Sequence, residues 1–568
     1  MNEIRELAFK HALKNAYTHG GKAQLKAVVT AMLAENPDLR KKVKEIIPIV
    51  REVIDEVNSL SIEEQERLLK ERYPEALTEG KKEVRKGLPP LPNAEEGKVV
   101  TRFAPNPDFY MTLGNARPAI LSHEYARMYK GKFILRFEDT DPRTKRPLPD
   151  AYEAIVEDLE WLGIKPDEIY YQSNRMEIYY DILKKLIEKG KAYVCTCTNE
   201  EWKKYKDSRR PCPHREELPE THLERLEKIL EGAYGEGEAV VRIKTDMSHP
   251  DPSVRDWVAF RIIDPRKHPH PLVGDKYWLW PTYNFAAAID DHLMGVTHVL
   301  RAREHRQNET KQSYIFQYMG WTPPISIHFG RLKLEGFILS KSKLRELGIK
   351  GDDPRAATIR GLRRRGFSPE AIREIMIDVG IKASDASISF DNLAAINRKI
   401  IDPESPRIMY IEDPVEAYIK SNEELVAEIP WHPKIPEMGS RKYVVGPNDV
   451  IYIEKEDLRK VMKKQGEVRL MELGNFKIVG FDIENSRLVL ELISKDLEYA
   501  RQRKLEIIQW VKGKNKAMVW YPEKGFSVGY VEEKAFEVRA HTIQLIRKGF
   551  AKIEGVEDNT LKLIYIHD

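Results

Sequence analysis

The chain of 568 residues holds only three cysteines, too few and too odd a count for a disulfide scaffold, which points to a reducing compartment. Nowhere does an apolar run approach the roughly 18 residues that a membrane-spanning helix needs. Glu3, Arg5, Glu6 and Lys10 interrupt the first ten residues, so the apolar stretch of a secretory signal is missing. Neither charge sign dominates. With 94 Lys and Arg against 90 Asp and Glu, a net +4, a histone-like polycation is excluded, while a local nucleic-acid surface is not. Internal repeats and low-complexity tails are also absent. What the chain does have is length for about four domains. With 41% hydrophobic residues it can fill several cores, so size alone demands no disulfide or metal. These features suit a large cytosolic enzyme.

Residues 1–96 read as a helical extension. Val43, Ile46, Ile47, Val50, Val53, Ile54 and Val57 recur at helical spacing, with Pro48 expected to kink the segment. Ser61 and Glu64 form a capping-box pattern for a further helix. Gly87-Leu-Pro-Pro-Leu-Pro92 then punctuates the chain as a linker running to Gly97. From Lys98 the texture changes to strand (99–104), Pro-rich turn, helix (114–129) and strand (133–137), the opening of an α/β parallel sheet. The reading divides the remainder into a first catalytic half (97–190), an insertion (191–275), a second half (276–344), a helical connecting piece (345–400) and a β-rich region (401–568). In the last, runs such as 442–445, 450–453, 487–490 and 517–520 suggest small barrels or sandwiches.

Three local patterns carry chemistry. Gly114 opens the first helix after the first strand, where backbone amides attract phosphate; an ordinary structural Gly is the alternative. Some 220 residues later, Ser340-Lys341-Ser342 sets a lysine between serines, suited to a pyrophosphate whose charge grows during phosphate cleavage, or else a solvated basic turn. All three cysteines lie together, as Cys195-Thr-Cys197 and Cys212-Pro-His214. These four side chains suit tetrahedral Zn2+, against the alternative of free thiols beside an unrelated histidine. Residues 340–366 are strongly basic and include Arg363, Arg364 and Arg365, which suits an RNA backbone or a solvated helical face. By contrast, 401–568 balances 27 basic against 29 acidic residues, so RNA recognition there would need local patches.

Taken together, Thr112-Leu-Gly-Asn115 and Leu339-Ser-Lys-Ser342 resemble the HIGH and KMSKS elements of class I aminoacyl-tRNA synthetases. The strings TRFAPNP (101–107), LRFEDTDP (135–142), PTYNFAAAIDDHLMGVTHVLRAREH (281–305) and LSKSK (339–343) resemble glutamyl-tRNA synthetase of the archaeal and eukaryotic type. The resemblance implies a multidomain α/β protein with a Rossmann-type catalytic core, an inserted acceptor-binding domain, and a C-terminal β-barrel region for the anticodon. It implies ATP with Mg2+ and L-glutamate as substrates, tRNA-Glu as partner with tRNA-Gln left open, a cytoplasmic monomer, and no membrane. Carried over by motif, Arg102, Ala104, Asn106, Glu138, Tyr283 and Arg301 line the amino-acid site. Thr112, Gly114, Asn115 and Lys341 serve catalysis, and Glu304, His305, Ser340, Lys341 and Ser342 lie at ATP. Zinc on Cys195, Cys197, Cys212 and His214 would pin the domain that grips the tRNA acceptor end. Both HIGH histidines are replaced, by Thr112 and Asn115, which can bond phosphate without an imidazolium charge. Glutaminyl-tRNA synthetase, a noncatalytic tRNA-binding module, and a glutamyl-queuosine synthetase, which would lack the C-terminal region present here, are the rivals. Arg301 favours a carboxylate ligand over the first, and the retained Lys341, Glu138 and Arg301 speak against the second.

Overall fold

The computed structural model describes residues 2–18, 21–36, 39, 42–73, 87–337, 341–463, 466–482 and 487–568. The valine and isoleucine repeat becomes the buried face of the helix Val43–Ser59, with Val50, Val53 and Val57 fully enclosed. Pro48 sits inside that helix without ending it. Three further helices, Asn2–Thr18, Leu25–Glu35 and Ile62–Arg72, share its core with Leu13, Val28 and Met32. Only half of the expected capping box forms. Ser61 Oγ accepts from Glu64 N at 3.2 Å, but the Glu64 carboxylate takes Arg67 Nη2 at 2.6 Å instead of returning to the cap. Residues 1–87 make one compact unit and 88–568 the other.

In the larger unit, Val100–Phe103, Lys132–Phe137 and Glu168–Tyr171 form a parallel sheet, with the helices Leu113–Met128 and Pro149–Trp161 as crossovers. The parallel pair His298–Ala302 and Ile325–Phe329 adjoins it, since Thr297 N donates to Val100 O at 2.9 Å. Phe133, Leu135 and Phe137 are fully buried beneath the crossovers, each contributing about 1.5–3 kcal/mol of burial free energy. A four-stranded antiparallel sheet interrupts this pattern: Ala192–Cys195, Val240–Ile243, Val258–Ile262 and Leu279–Pro281. Its last strand lies beyond residue 275, so the insertion's sheet extends to Pro281, and the helix Tyr283–Leu293 resumes the α/β part. The expected helical stretch 345–400 contains the helices Ile359–Arg365, Pro369–Val379 and Phe390–Ile401. It also contributes a strand, Ala386–Ser389, parallel to Leu332–Glu335, because the chain returns to the sheet it left.

Beyond Ile401 two seven-stranded sheets follow, and both close on themselves. In one, the edge strands Arg407–Ile408 and Tyr410–Glu412 are separated by Met409 alone. In the other, Ile507–Ile508 and Val511–Lys512 are separated by Gln509 and Trp510. An edge that continues directly into the opposite edge curls the sheet into a barrel. The two closing corners are bonded to each other, Tyr410 N donating to Gln509 Oε1 at 3.0 Å. No described helix is long and apolar enough to cross a membrane.

Candidate active site

The strand Val100–Phe103 runs through the Pro105–Pro107 turn to Thr112, which caps the helix Leu113–Met128. Thr112 Oγ1 accepts from Asn115 N at 3.3 Å and donates to Asn115 Oδ1 at 2.7 Å, a capping box built from the two residues that stand for the missing histidines. The Thr112 hydroxyl is therefore occupied, and Thr112 does not line the cavity described next. Asn115 does line it, and capping uses only its oxygen, so its NH2 is the donor left for a ligand. A segment following the Ser-Lys-Ser string clamps this turn. Leu113 N donates to Ala357 O and Ile359 N to Met111 O, both at 2.9 Å.

A cavity of about 620 Å³ opens at the ends of the parallel strands. Arg102, Ala104, Asn106, Gly114, Asn115, Glu138, Tyr283, Arg301, Glu304 and His305 all line it, so residues spread over 204 positions are brought to one cavity. Its floor is an ion network. Asp291 Oδ1 accepts from Arg136 Nη1 at 2.8 Å and Arg102 Nε at 3.3 Å, while Arg136 Nη2 donates to Glu138 Oε1 at 3.0 Å. Two guanidinium groups and two carboxylates thus cancel. Burial pushes the Glu138 carboxyl up, against the opposing pull of Arg136 and Arg102. Burial pushes Asp291 up as well, yet the same two arginines win and hold it below the usual range. The Tyr283 hydroxyl is raised by burial and by Glu138, and His305 is lowered by burial and by Arg301, which favours its neutral form.

Arg301 is different. It is 6% exposed, its Nε has no hydrogen-bond partner, and among the described residues no acidic group lies within ion-pair distance. Its contacts are neutral: Ser326 Oγ at 2.9 Å and Gln312 Oε1 at 3.2 Å. Asn106 Oδ1 and Gln172 Oε1, both on residues of the cavity wall, are buried acceptors without partners. Glu304 is turned to Arg331 at 3.3 Å, and His305 Nδ1 takes Asn308 Nδ2 at 3.0 Å. Ser340 lies outside the described residues. Lys341 and Ser342 begin the helix Lys341–Glu346, and their side chains lie outside the description too. Sequence reasoning missed Asp291 and its neighbour Asp290, which holds Arg175, Gln172 and Tyr179. The available signal was a pair of acids directly after the apolar string Phe285–Ile289 of the same helix.

The family description "tRNA synthetases class I (E and Q), catalytic domain" matches residues 98–403, and the anti-codon binding domain of the same class matches 405–496. The chain belongs to the class I E and Q tRNA synthetases. A glutamate–tRNA ligase of Ignicoccus hospitalis is 66% identical to this synthetase over the whole of both chains, and one of Thermococcus kodakarensis is 53% identical with the same full coverage. A solved glutamate tRNA ligase of Elizabethkingia meningosepticum, in complex with its amino acid, aligns with 54% of this chain and 70% of its own at 25% identity and a TM-score of 0.39.

Two other features of the synthetase bear on the sequence reading. In the inserted sheet, the ligand atoms of Cys195, Cys197, Cys212 and His214 all lie within 4.8 Å of one another. Cys195 Sγ is 3.9 Å from Cys212 Sγ, and His214 Nδ1 is 3.5 Å from Cys197 Sγ and 3.8 Å from Cys212 Sγ. In the basic stretch, three arginines are paired within the protein. Arg360 pairs with Glu157, Arg364 with Glu554 at 3.2 Å, and Arg365, only 2% exposed, donates to Ile566 O and Glu523. These three arginines fasten the helix Ile359–Arg365 to its neighbours, which leaves the RNA-backbone reading without support at their positions.

Proposed function

We propose that this synthetase is a glutamate–tRNA ligase, activating L-glutamate with ATP and Mg2+ to glutamyl-adenylate and passing it to the 3′ end of tRNA-Glu with release of AMP and pyrophosphate. The observation that carries the reading is the charge balance of the cavity. Arg102 and Arg136 are neutralised by Asp291 and Glu138, whereas Arg301 is a buried guanidinium with no carboxylate of its own. A ligand that ends in a carboxylate completes it, and glutamate does so where glutamine cannot. Glu138, an acid facing the same space, suits the substrate ammonium, and the Tyr283 hydroxyl adds a neutral contact. The NH2 of Asn115, the amides at Gly114, and Lys341 with its flanking serines suit the phosphates, Lys341 acting where charge develops on the leaving pyrophosphate. Glu304 and His305 lie on the ATP side. No side chain need form a covalent intermediate; positioning and electrostatics carry the rate.

The test is Arg301→Gln, read in glutamate and glutamine charging. Glutamine offers the guanidinium one acceptor oxygen and brings an NH2 against donors, a loss of about 1–3 kcal/mol, or roughly ten- to a hundredfold in specificity. The variant should lose glutamate use and narrow the glutamate-to-glutamine ratio of kcat/KM. An unchanged ratio in a folded variant refutes the assignment. Charging purified tRNA-Glu and tRNA-Gln separately decides the acceptor range. The reading includes one structural Zn2+ in the insertion. Tetrahedral zinc with bonds of about 2.3 Å to sulfur and 2.0–2.1 Å to nitrogen separates its ligand atoms by about 3.5–3.8 Å, close to the spacings among Cys195, Cys197, Cys212 and His214. His214 Nε2 lies 2.9 Å from Thr196 Oγ1, which orients the ring and frees Nδ1 for metal. Such an ion would brace the sheet that meets the tRNA acceptor end. The sparse, clustered thiols suit a cytoplasmic setting.

A further inference from the structure

Arg301, on the strand His298–Ala302, is held from two sides by neutral groups: Ser326 on the strand Ile325–Phe329 and Gln312 on the helix Arg306–Met319. Gln312 is 5% exposed, and its amide is fixed end to end. Its Nε2 donates to Asn284 Oδ1 at 3.2 Å, Asn284 Nδ2 to Asn308 Oδ1 at 3.2 Å, and Asn308 Nδ2 to His305 Nδ1 at 3.0 Å. Each donor and acceptor in this row sets the next, so the Gln312 oxygen faces the guanidinium and its NH2 faces away. The buried arginines next door are met differently, by the carboxylates of Asp291 and Glu138. An amide oxygen satisfies one N–H of Arg301 without cancelling its charge, whereas a carboxylate at the same place would do both.

We propose that Gln312 is a positioning residue for amino-acid selection: it aims Arg301 while leaving its charge to be neutralised only by the substrate's side-chain carboxylate. The row of amides through Asn284 and Asn308 keeps Gln312 in that orientation. This inference rests on the reading of Arg301 as the partner of that carboxylate. Gln312→Glu is nearly isosteric and supplies the missing acid. It should raise KM for glutamate at least about tenfold with KM for ATP little changed, and narrow the glutamate-to-glutamine ratio of kcat/KM by about tenfold or more. Gln312→Met has similar length but neither acceptor nor charge, so rates should fall while the ratio stays within about threefold of wild type. A merely structural role would move both variants alike. Ser326→Asp brings an acid from the other side and should reproduce the narrowing, which keeps the test open should Gln312→Glu not fold. An unchanged ratio in folded Gln312→Glu or Ser326→Asp, with Arg301→Gln narrowing it, overturns the role of Gln312 alone. An unchanged ratio in Arg301→Gln overturns the underlying reading as well.

Discussion

Replacing Asp291 by Asn tests the ion network under the cavity. Asn keeps the shape but removes the charge that Arg136 meets at 2.8 Å and Arg102 at 3.3 Å, in a place where the three side chains are 2%, 0% and 6% exposed. The floor then changes from neutral to one uncompensated positive charge, beside a second one on Arg301. Breaking a buried pair by removing one partner costs about 3–5 kcal/mol, a large share of the roughly 5–15 kcal/mol that holds a domain together. The same change leaves Glu138 as the only carboxylate for Arg136, weakening its hold on a substrate ammonium, so KM for glutamate should rise together with the loss of stability. Asp256→Asn is the control. Asp256 is also fully buried and binds Arg215 Nε and Tyr193 at 2.9 and 2.8 Å, but neither of these partners lines the cavity, whereas Arg102, which Asp291 holds, does. Denaturant unfolding and steady-state charging of both variants separate the effects: both should lose stability, and only Asp291→Asn should lose glutamate affinity. The pH dependence has a definite sign. Arg102 and Arg136 hold Asp291 below its ordinary value, so its contribution is complete above the unfolded pKa of about 3.9 and is lost as pH falls through the folded value. Wild type and variant should therefore differ fully at neutral pH and converge only in acid. A destabilisation under about 1 kcal/mol, or a KM shift no larger than that of Asp256→Asn, refutes the reasoning.

Two further outcomes follow from other buried groups. A strong chelator should remove one zinc per chain, expose Cys195, Cys197 and Cys212 to thiol reagents and loosen the inserted sheet; metal analysis finding no zinc in purified protein, with all three thiols already reactive, would exclude the site. Asp158, whose two oxygens have no hydrogen-bond partner, is pushed by burial up to about 7 despite Arg360 nearby, so it favours folding while protonated and that contribution is lost as pH rises from about 4 through about 7. Asp158→Asn should flatten the stability profile there by about 1.4 kcal/mol per pH unit, and identical slopes for both proteins would show that Asp158 does not titrate in the folded state.

How much of this was legible in the sequence depends on how far each residue's partner lies along the chain. The strand-turn-helix at 100–128 was readable because its causes are local: a short apolar run, a Pro-rich turn, a Gly at the first turn of the helix. The cavity residues were found through motifs whose members each sit at a strand end or helix start. What joins them was not readable. Arg136 and Asp291 are 155 positions apart, Arg102 and Asp291 189, and nothing in local pattern distinguishes a paired arginine from an open one. The β-rich runs beyond 401 announced barrels, but not which strands close them, since two-residue edge strands carry almost no periodicity and depend on pairings with distant chain. The pairings of the basic stretch were equally hidden, because Arg364 and Arg365 find their acids 190 and 158 residues later. The cysteine cluster was readable despite a gap, because rare residue types spaced as ligands restrict their own partners. Arg102 and Arg301 show where sequence reading stops: both are arginines on strands at the cavity, and only the position of Asp291 decides that one is already neutralised while the other retains a charge for the substrate.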